Sequence, residues 1–475
     1  MLTQDAVRRP DARGRASMSA PRSNLIRLRR QRERRSGALI VILWVSGIVA
    51  GTLALPGMTA TQSGDFGGIM TDIGIVTGLV GTDLILVMLI LAARIPIVDR
   101  AIGHDRAIAV HRSMGKPVLY LLLAHAIFLL IGYGASQGLN PVSEIWSMLA
   151  IPDLPLAFVG LGAVVAVVVT SVIAVRKRFS YESWHLIHLL GYAAVLVAIP
   201  HELSVGGILT NGSIQRAYWI SLYIVAFGAV IAFRFVEPIL SSVRHRIVVD
   251  RVEKLSPGVT SIYLRGHNLA SLGARGGQFF VWRFWSAHTW WHAHPVSLSM
   301  TPNNDIARIT LRSVGDGTRA ISEVKPGTRV SIEGPYGIFT DLARTSPHLA
   351  IIAAGIGVTP VCSMLQQSNL LRGETTVLLR ASTTAKTALW DETVALAVSK
   401  GAEVYSMVGP RSALGAGWMT EEDARRGVTL RSVFPKLATS DLYICGPSAW
   451  LHLVEADARA SGLASHQIHS ERFEW

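Results

Sequence analysis

The apolar residues of this chain are gathered into successive stretches of roughly twenty residues, a pattern that leaves few folds open. In hydrocarbon each backbone N–H and C=O must be paired within the protein, so stretches of this length read as membrane-spanning helices. Six spans can be drawn, at residues 38–55, 73–93, 117–133, 154–175, 181–199 and 217–236. They account for a mean hydropathy of +0.38 and a charged fraction of only 16% over 475 residues. From residue 244 onward the composition is that of an ordinary globular protein. The sequence therefore predicts an integral membrane half (37–240) followed by a soluble half.

The net charge of +13 is arranged around these spans. Residues 1–36 hold eleven arginines, and Arg94, Arg100, Arg106, Arg112, Lys116, Arg176, Lys177 and Arg178 flank later spans. The connections at 56–72, 134–153 and 202–213 contain no Lys or Arg. That alternation is the positive-inside pattern, so both ends of a six-span chain are expected in the cytosol of a cell membrane. It argues against a nucleic-acid partner and makes the basic arm (1–36) a segment lying against anionic headgroups of the lipid bilayer. The first span is too long for an ordinary signal sequence and reads as a retained helix, with cleavage near 58–60 as the alternative. The two cysteines, Cys362 and Cys445, imply neither a disulfide framework nor a cysteine metal site, and suit a reducing compartment.

Ionisable groups inside such spans are rare and mark cofactor, ion or proton paths. Here four histidines form two pairs, His111 with His125 and His188 with His201, spaced by 14 and 13 residues. Along a helix these steps cover roughly 20 Å, most of the hydrocarbon thickness. The third and fifth spans run in the same direction, so like depth pairs with like: His111 with His188 towards the cytosol, and His125 with His201 towards the outside. Two b-type haems stacked across the bilayer fit that arrangement. A 14-residue step returns to within about 40° of its starting face, whereas a 13-residue step lands about 140° away. Pro200 or Gly191 is therefore expected to kink or unwind the fifth span. His185, one turn before His188, is not counted as a ligand. Asp83, mid-span, is either a proton-handling or cofactor-contacting group or a carboxyl satisfied by a neighbouring helix.

The soluble half has two textures. Short alternating segments at 246–255, 258–264, 278–282, 307–313 and 329–333 predict a small antiparallel β-barrel domain (244–342). After it, strands at 349–353, 376–379, 404–407 and 442–445 alternate with helical segments, predicting a doubly wound α/β domain (343–475). In the latter, Gly355 and Gly357 follow a buried strand and Pro360 opens a helix. Backbone N–H groups can approach a pyrophosphate at such a turn. Cys445, Gly446 and Pro447 end a later parallel strand, at the edge where such sheets bind ligands.

The ordered set HPVSLSM (294–300), RSVGDGT (312–318), GPYG (334–337), AAGIGVTP (353–360), CGP (445–447) and a final aromatic resembles the NADPH oxidase/ferric reductase superfamily. HRSMG (111–115) and WHLIHLLGY (184–192) in the membrane half agree, and the resemblance covers about residues 70–475. It implies that His294, Pro295 and Ser297 hold FAD, with Arg312 and Thr318 nearby and Gly334, Tyr336 and Gly337 closing the site. It further implies that Gly355, Gly357, Thr359 and Pro360 cradle NAD(P)H, with Cys445, Gly446 and Pro447 near the nicotinamide. Trp475 would stack on the flavin and move aside. Arg380 and Arg411 follow strands at positions suited to a 2′-phosphate, favouring NADPH over NADH. His288 and His292 are not read as metal ligands, since His294 beside them already belongs to the flavin motif.

On that resemblance, nicotinamide passes a hydride to flavin, which hands electrons singly to the inner and then the outer haem, and an outer-face acceptor, a ferric chelate or oxygen, takes them. Superoxide-producing members have a further histidine one turn beyond the outer ligand of the third span. Here that residue is Leu129, and no arginine lies between Arg35 and Arg94 to complete a polar oxygen site. Two alternatives stand beside this reading: electrons passed to a membrane quinone or partner haem protein, and a haem-binding redox sensor.

Overall fold

The computed structural model describes residues 22–55, 58, 65–175, 181–205, 208–287, 289–290, 292–370 and 372–473. Arg176, Lys177, Arg178, His288, Trp475 and the basic arm up to residue 21 lie outside the described residues. Two compact units are formed, one built from Glu33–Lys254 with Gly258–Ile338 and the other containing Phe339–Trp475.

The first unit begins with six long helices: α1 (Arg22–Thr52), α2 (Phe66–Ala92), α3 (His104–Gln137), α4 (Leu154–Val175), α5 (Tyr181–Ser204) and α6 (Ile214–Ile231). Five helical segments are long and apolar enough to cross a bilayer, those of α2 to α6, while the apolar part of α1, Ile40–Thr52, is shorter. The six-span expectation is matched by five crossing-length helices among the described residues, with α1 contributing a shorter apolar segment. Helices α3 and α5 run past their expected spans. Pro117 lies inside α3 and Pro200 inside α5, and neither ends its helix, so His111 and His125 share one helix and His188 and His201 another.

Close packing of α2 on α3 is set by glycine. A Cβ on Gly67, Gly74, Gly78 or Gly81 of α2 would fall within 3.0 Å of an atom on α3, as would one on Gly132 of α3 against α2. Small residues let two backbones approach where lipid supplies no hydrophobic drive.

A π-helical turn, Ala232–Val236, and a short helix, Glu237–His245, lead from α6 into a six-stranded antiparallel sheet. Its strands are β1 (Val248–Ser256), β2 (Val259–Arg265), β3 (Phe279–Phe284), β4 (His294–Met300), β5 (Ile306–Arg312) and β6 (Val330–Tyr336), in the order β1-β2-β5-β4-β3-β6. Val249 N–H donates to the Thr328 carbonyl at 2.9 Å and Val330 N–H to that of Ile247 at 2.9 Å, so the flank of β1 meets that of β6. Alternate residues of the strands, including Ile262, Leu264, Phe280, Trp282, Leu298 and Ile309, fill the core. The sequence reading missed β4 as a strand, because its seven residues had been read only as a motif.

The second unit is a five-stranded parallel sheet of β7 (His348–Ala354), β8 (Thr375–Ala381), β9 (Glu403–Val408), β10 (Ser440–Pro447) and β11 (Ile468–Phe473), ordered β11-β10-β7-β8-β9. Alternation along β7 separates two cores. Leu349, Ile351 and Ala353 pack on one face, and Ala350, Ile352 and Ala354 on the other. Strand β11 was not foreseen. Asp441 ties this corner together: its carboxylate accepts from Ser346 N–H at 2.8 Å and lies 3.7 Å from His469 Nε2 on β11. Burial would push the pKa of this carboxyl up, but the nearby His469 and the backbone hydrogen bonds from Thr345 and Ser346 outweigh it and hold the pKa below the usual carboxylate range.

Candidate functional sites

The inner histidines face each other. The ring centroids of His111 and His188 lie 6.1 Å apart. Two imidazoles ligating one metal from opposite sides need a separation of roughly 6 Å, with each metal–nitrogen bond about 2 Å. The hydrogen bonds set the tautomers. His111 Nδ1–H donates to the Met88 carbonyl at 3.1 Å. Ser171 spends its single hydroxyl proton on the Val167 carbonyl at 2.6 Å, so it accepts from His188 Nδ1–H at 3.3 Å and from Trp184 Nε1–H at 3.2 Å. Each ring then keeps Nε2 as a free lone pair, the arrangement found around metal-ligating histidines.

At the outer level His125 Nδ1–H donates to the Gly74 carbonyl at 2.8 Å, which again frees Nε2. His125 and His201 line one cavity of about 200 Å³, with Leu129, Tyr133, Phe158, Leu161 and Val164 among its walls. His201 Nδ1 is buried without a well-formed partner. The same cavity contains a polar group the sequence reading passed over. Tyr223 donates its hydroxyl to Glu202 Oε2 at 2.6 Å, and Thr82 Oγ1 lies 3.4 Å from Oε1. Glu202 had been placed in a loop. The helix through Pro200 puts it on α5, beside His201, and a carboxylate directly after a spaced histidine was the available signal. Asp83 is 1% exposed and takes a hydrogen bond from Ser46 of α1 at 2.6 Å on Oδ1, while Oδ2 has no partner. The neighbouring-helix alternative thus describes one of its two oxygens.

In the sheet of the same unit, His294 opens β4, with Pro295 exposed beside it and Ser297 buried two residues on. A Cβ on Gly317 would lie 2.7 Å from His294 Cε1, so the loop after Arg312 packs directly on this ring. Burial, His292 and Arg283 together push His294 down to about 4, which keeps it neutral. The Thr318 hydroxyl caps its own turn, accepting from Val314 N–H at 2.9 Å and Gly315 N–H at 3.1 Å. Gly334 and Gly337 adopt positive φ, 138° and 94°, around Tyr336, whose ring lies 5.8 Å from that of Phe279. The structure thus brings His294 together with the 312–318 loop, while Phe279 of β3 adjoins both β4 and the Gly334–Gly337 turn.

In the second unit Gly355 (φ 56°) and Gly357 form the turn between β7 and the helix Val358–Gln367. They do different jobs. A Cβ on Gly357 would lie 2.3 Å from the Cys445 carbonyl oxygen, so this glycine lets β10 approach, whereas nothing lies within 4 Å of a Cβ on Gly355. Thr359 bonds back to Ile356 at 2.9 Å, and Pro360 stands in the first turn, where its missing N–H costs nothing. Cys445 is fully buried, and burial, then Glu471, push its thiol well up, so its side chain packs rather than reacts. Gly446 and Pro447 follow at the strand end. Arg380 is 4% exposed with Nε unpaired and lies within electrostatic reach of the exposed Arg411.

Residues 77–199 match the family described as the ferric reductase like transmembrane component. The chain is 26% identical over 208 residues to a flavohemoprotein of Xylella fastidiosa, covering 42% of this chain and 51% of that protein. It is 33% identical over 88 residues to the electron transfer subunit of dihydroorotate dehydrogenase B of Desulforamulus reducens, covering 18% and 34%. Among solved structures, the flavohem-like FAD/NAD binding domain of nitric oxide dioxygenase from Vibrio cholerae aligns with a TM-score of 0.39 at 22% identity, covering 48% of this chain and 98% of that one. The chain spans about half the length of the flavohemoproteins it matches. The chain is thus similar to the ferric reductase like transmembrane component within its helices and, in part, to flavohemoproteins.

Proposed function

We propose that this protein is a transmembrane oxidoreductase of the cell membrane, with six crossings and both ends in the cytoplasm. When bound, FAD and two b-type haems supply the redox chemistry that carries electrons from NAD(P)H to an outer-face acceptor, a ferric chelate or oxygen. One observation carries the reading. His111, His125 and His188 each commit Nδ1–H to a protein acceptor and keep Nε2 free, and the inner rings stand 6.1 Å apart.

The chain's own contribution is holding and excluding. His111 and His188 would hold the inner haem, His125 and His201 the outer. Met88, Ser171 and Gly74 orient the rings through their carbonyl or hydroxyl oxygens. The apolar walls around His125, Leu129 among them, exclude water, and Glu202 with Tyr223 and Thr82 forms a polar cluster beside the outer pair. In the antiparallel sheet, read as the flavin barrel, His294 stays neutral and can accept or donate one hydrogen bond to FAD, with Pro295, Ser297, Arg312, Thr318, Gly334, Tyr336 and Gly337 around it. Gly355, Gly357 and Thr359 would offer backbone N–H groups to the pyrophosphate, with Pro360 setting the first turn of the helix behind them. Cys445, Gly446 and Pro447 would border the nicotinamide, Arg380 and Arg411 would meet a 2′-phosphate, and Trp475 would cover the flavin.

The test replaces His125 by Ala in the full-length protein. Reduction of an impermeant ferric chelate at the outer face should cease while NAD(P)H still bleaches the flavin. Undiminished outer-face reduction would overturn the assignment.

A further inference from the structure

Three unusual local features meet at one carboxylate. Arg94, just past the Ala93 cap of α2, is one of five non-glycine residues with positive φ among the described residues, at 60°, a conformation that costs an L-residue about 1 kcal/mol. Arg234 sits in the π-helical turn Ala232–Val236, and such turns concentrate at functional positions. Glu333 lies on β6, one residue before the Gly334–Gly337 turn.

The side chains converge on Oε1 of Glu333. Arg94 Nη1 lies at 2.9 Å, Arg234 Nη1 at 3.0 Å, and the Tyr336 hydroxyl donates at 3.2 Å. The Arg94 guanidinium also stands 5.2 Å from the centroid of the Tyr336 ring. The arginine side chains are 20% and 28% exposed and Glu333 17%, so the pairs are shielded more than surface pairs and hold more firmly. Strand β6 is tied a second time, to the short helix Glu237–His245 that follows the π-helical turn, by Ile332 N–H to Ser242 Oγ at 3.3 Å. On its other side Arg234 is in electrostatic reach of His185, one turn before His188.

Arg94 lies beyond the last turn of α2, and the ladder of β6 to β3 runs through backbone groups rather than the Glu333 side chain. Two cations from separate helices drawn onto one oxygen join the ends of α2 and α6 to the strand that leads into the Gly334–Gly337 turn.

We propose that Glu333, gripped by Arg94 and Arg234 and braced by Tyr336, is a positioning residue. It fixes the separation between the flavin site in the sheet and the inner histidine pair in the helices. This rests on the function proposed above. Each electron released at the flavin site is gained at the inner pair. The node itself takes up neither electron nor proton and sets only the distance, on which electron transfer depends exponentially.

The experiment is stopped-flow reduction by NAD(P)H of the full-length protein in nanodiscs, following flavin bleaching and haem reduction separately. In Glu333→Gln the flavin should bleach at the wild-type rate, with flavin and haem contents unchanged, while haem reduction slows about tenfold or more, as misplacement on the ångström scale does. Arg94→Gln, which leaves Arg234 in place and is the milder change, should slow haem reduction less. Glu333→Arg combined with Arg234→Glu should recover part of the rate, because the ion pair is restored in reverse. Wild-type haem reduction in Glu333→Gln would overturn the proposal. So would equal slowing of flavin bleaching, which would place Glu333 in flavin binding, or a reversed pair no faster than Glu333→Arg alone. If the wild-type protein binds no haem, the underlying function fails instead, and the two failures are told apart before any variant is made.

Discussion

Gly78 is where a single methyl group should separate the outer histidine pair from the inner. A Cβ there would lie 2.4 Å from His125 Nδ1 and 2.7 Å from its Cε1, against 3.4–4 Å for an ordinary contact. The imidazole cannot swing away without giving up its 2.8 Å hydrogen bond to the Gly74 carbonyl, which also sets its tautomer. Overpacking of this kind costs about 1–3 kcal/mol. Borne by the ligand alone, that weakens haem affinity by about 5- to 150-fold. Gly78→Ala should therefore lose the outer haem preferentially and retain the inner one, whose ligands His111 and His188 the substitution does not touch. Gly162→Ala on α4, with nothing within 4 Å of its Cβ, serves as the control. The assay is haem stoichiometry with a redox titration that resolves the two centres. Two haems per chain with unchanged potentials in Gly78→Ala would refute the reasoning.

Gly357→Ala should weaken NAD(P)H binding and lower the melting temperature of its unit, because the new Cβ meets the Cys445 carbonyl at 2.3 Å and backbone on both sides cannot rotate away; an unaltered melt and affinity would contradict this. Replacing Arg411 by Ala, or Arg380 by Gln, should reduce the preference for NADPH over NADH about tenfold, the loss of a charge-assisted hydrogen bond, as read from steady-state kinetics with both nucleotides; an unchanged ratio would remove the phosphate role. His294, held down at about 4 in the folded protein, is harder to protonate there than in the unfolded chain, where His titrates near 6.5. Its contribution to stability is thus full above about pH 6.5 and lost as the pH falls towards about 4. Thermal melts across that window should lose this slope in His294→Gln, and an unchanged slope would show that another group carries it.

Much of this architecture was legible in the residues. The apolar spans located the long helices. The histidine spacing drew attention to the pairs, although the 13-residue step is out of phase on an ideal helix. The structure keeps α5 helical through Pro200 and still puts His125 and His201 on one cavity. What escaped notice depended on contacts between segments distant in sequence. Gly74 supplies the carbonyl that orients His125, and Gly78 the space for its ring. Glu202 fell outside a span drawn to residue 199. Strand β4 was hidden by the motif it carries, and β11 by a segment, IHSERF, in which only its first and last residues are apolar. The Glu333 node could not be seen at all, since Arg94, Arg234 and Glu333 are separated by about a hundred residues or more, and surface arginines near spans are common for topological reasons alone.

The central claim is that two haems span the bilayer and draw their electrons from the soluble half. It is tested most directly by counting cofactors in the detergent-purified protein and recording its reduced-minus-oxidised spectrum under NADPH. The account predicts about two b-type haems for each FAD, all reduced by the nicotinamide, the stoichiometry its two histidine pairs require. Flavin that is reduced in a protein containing no haem would contradict it.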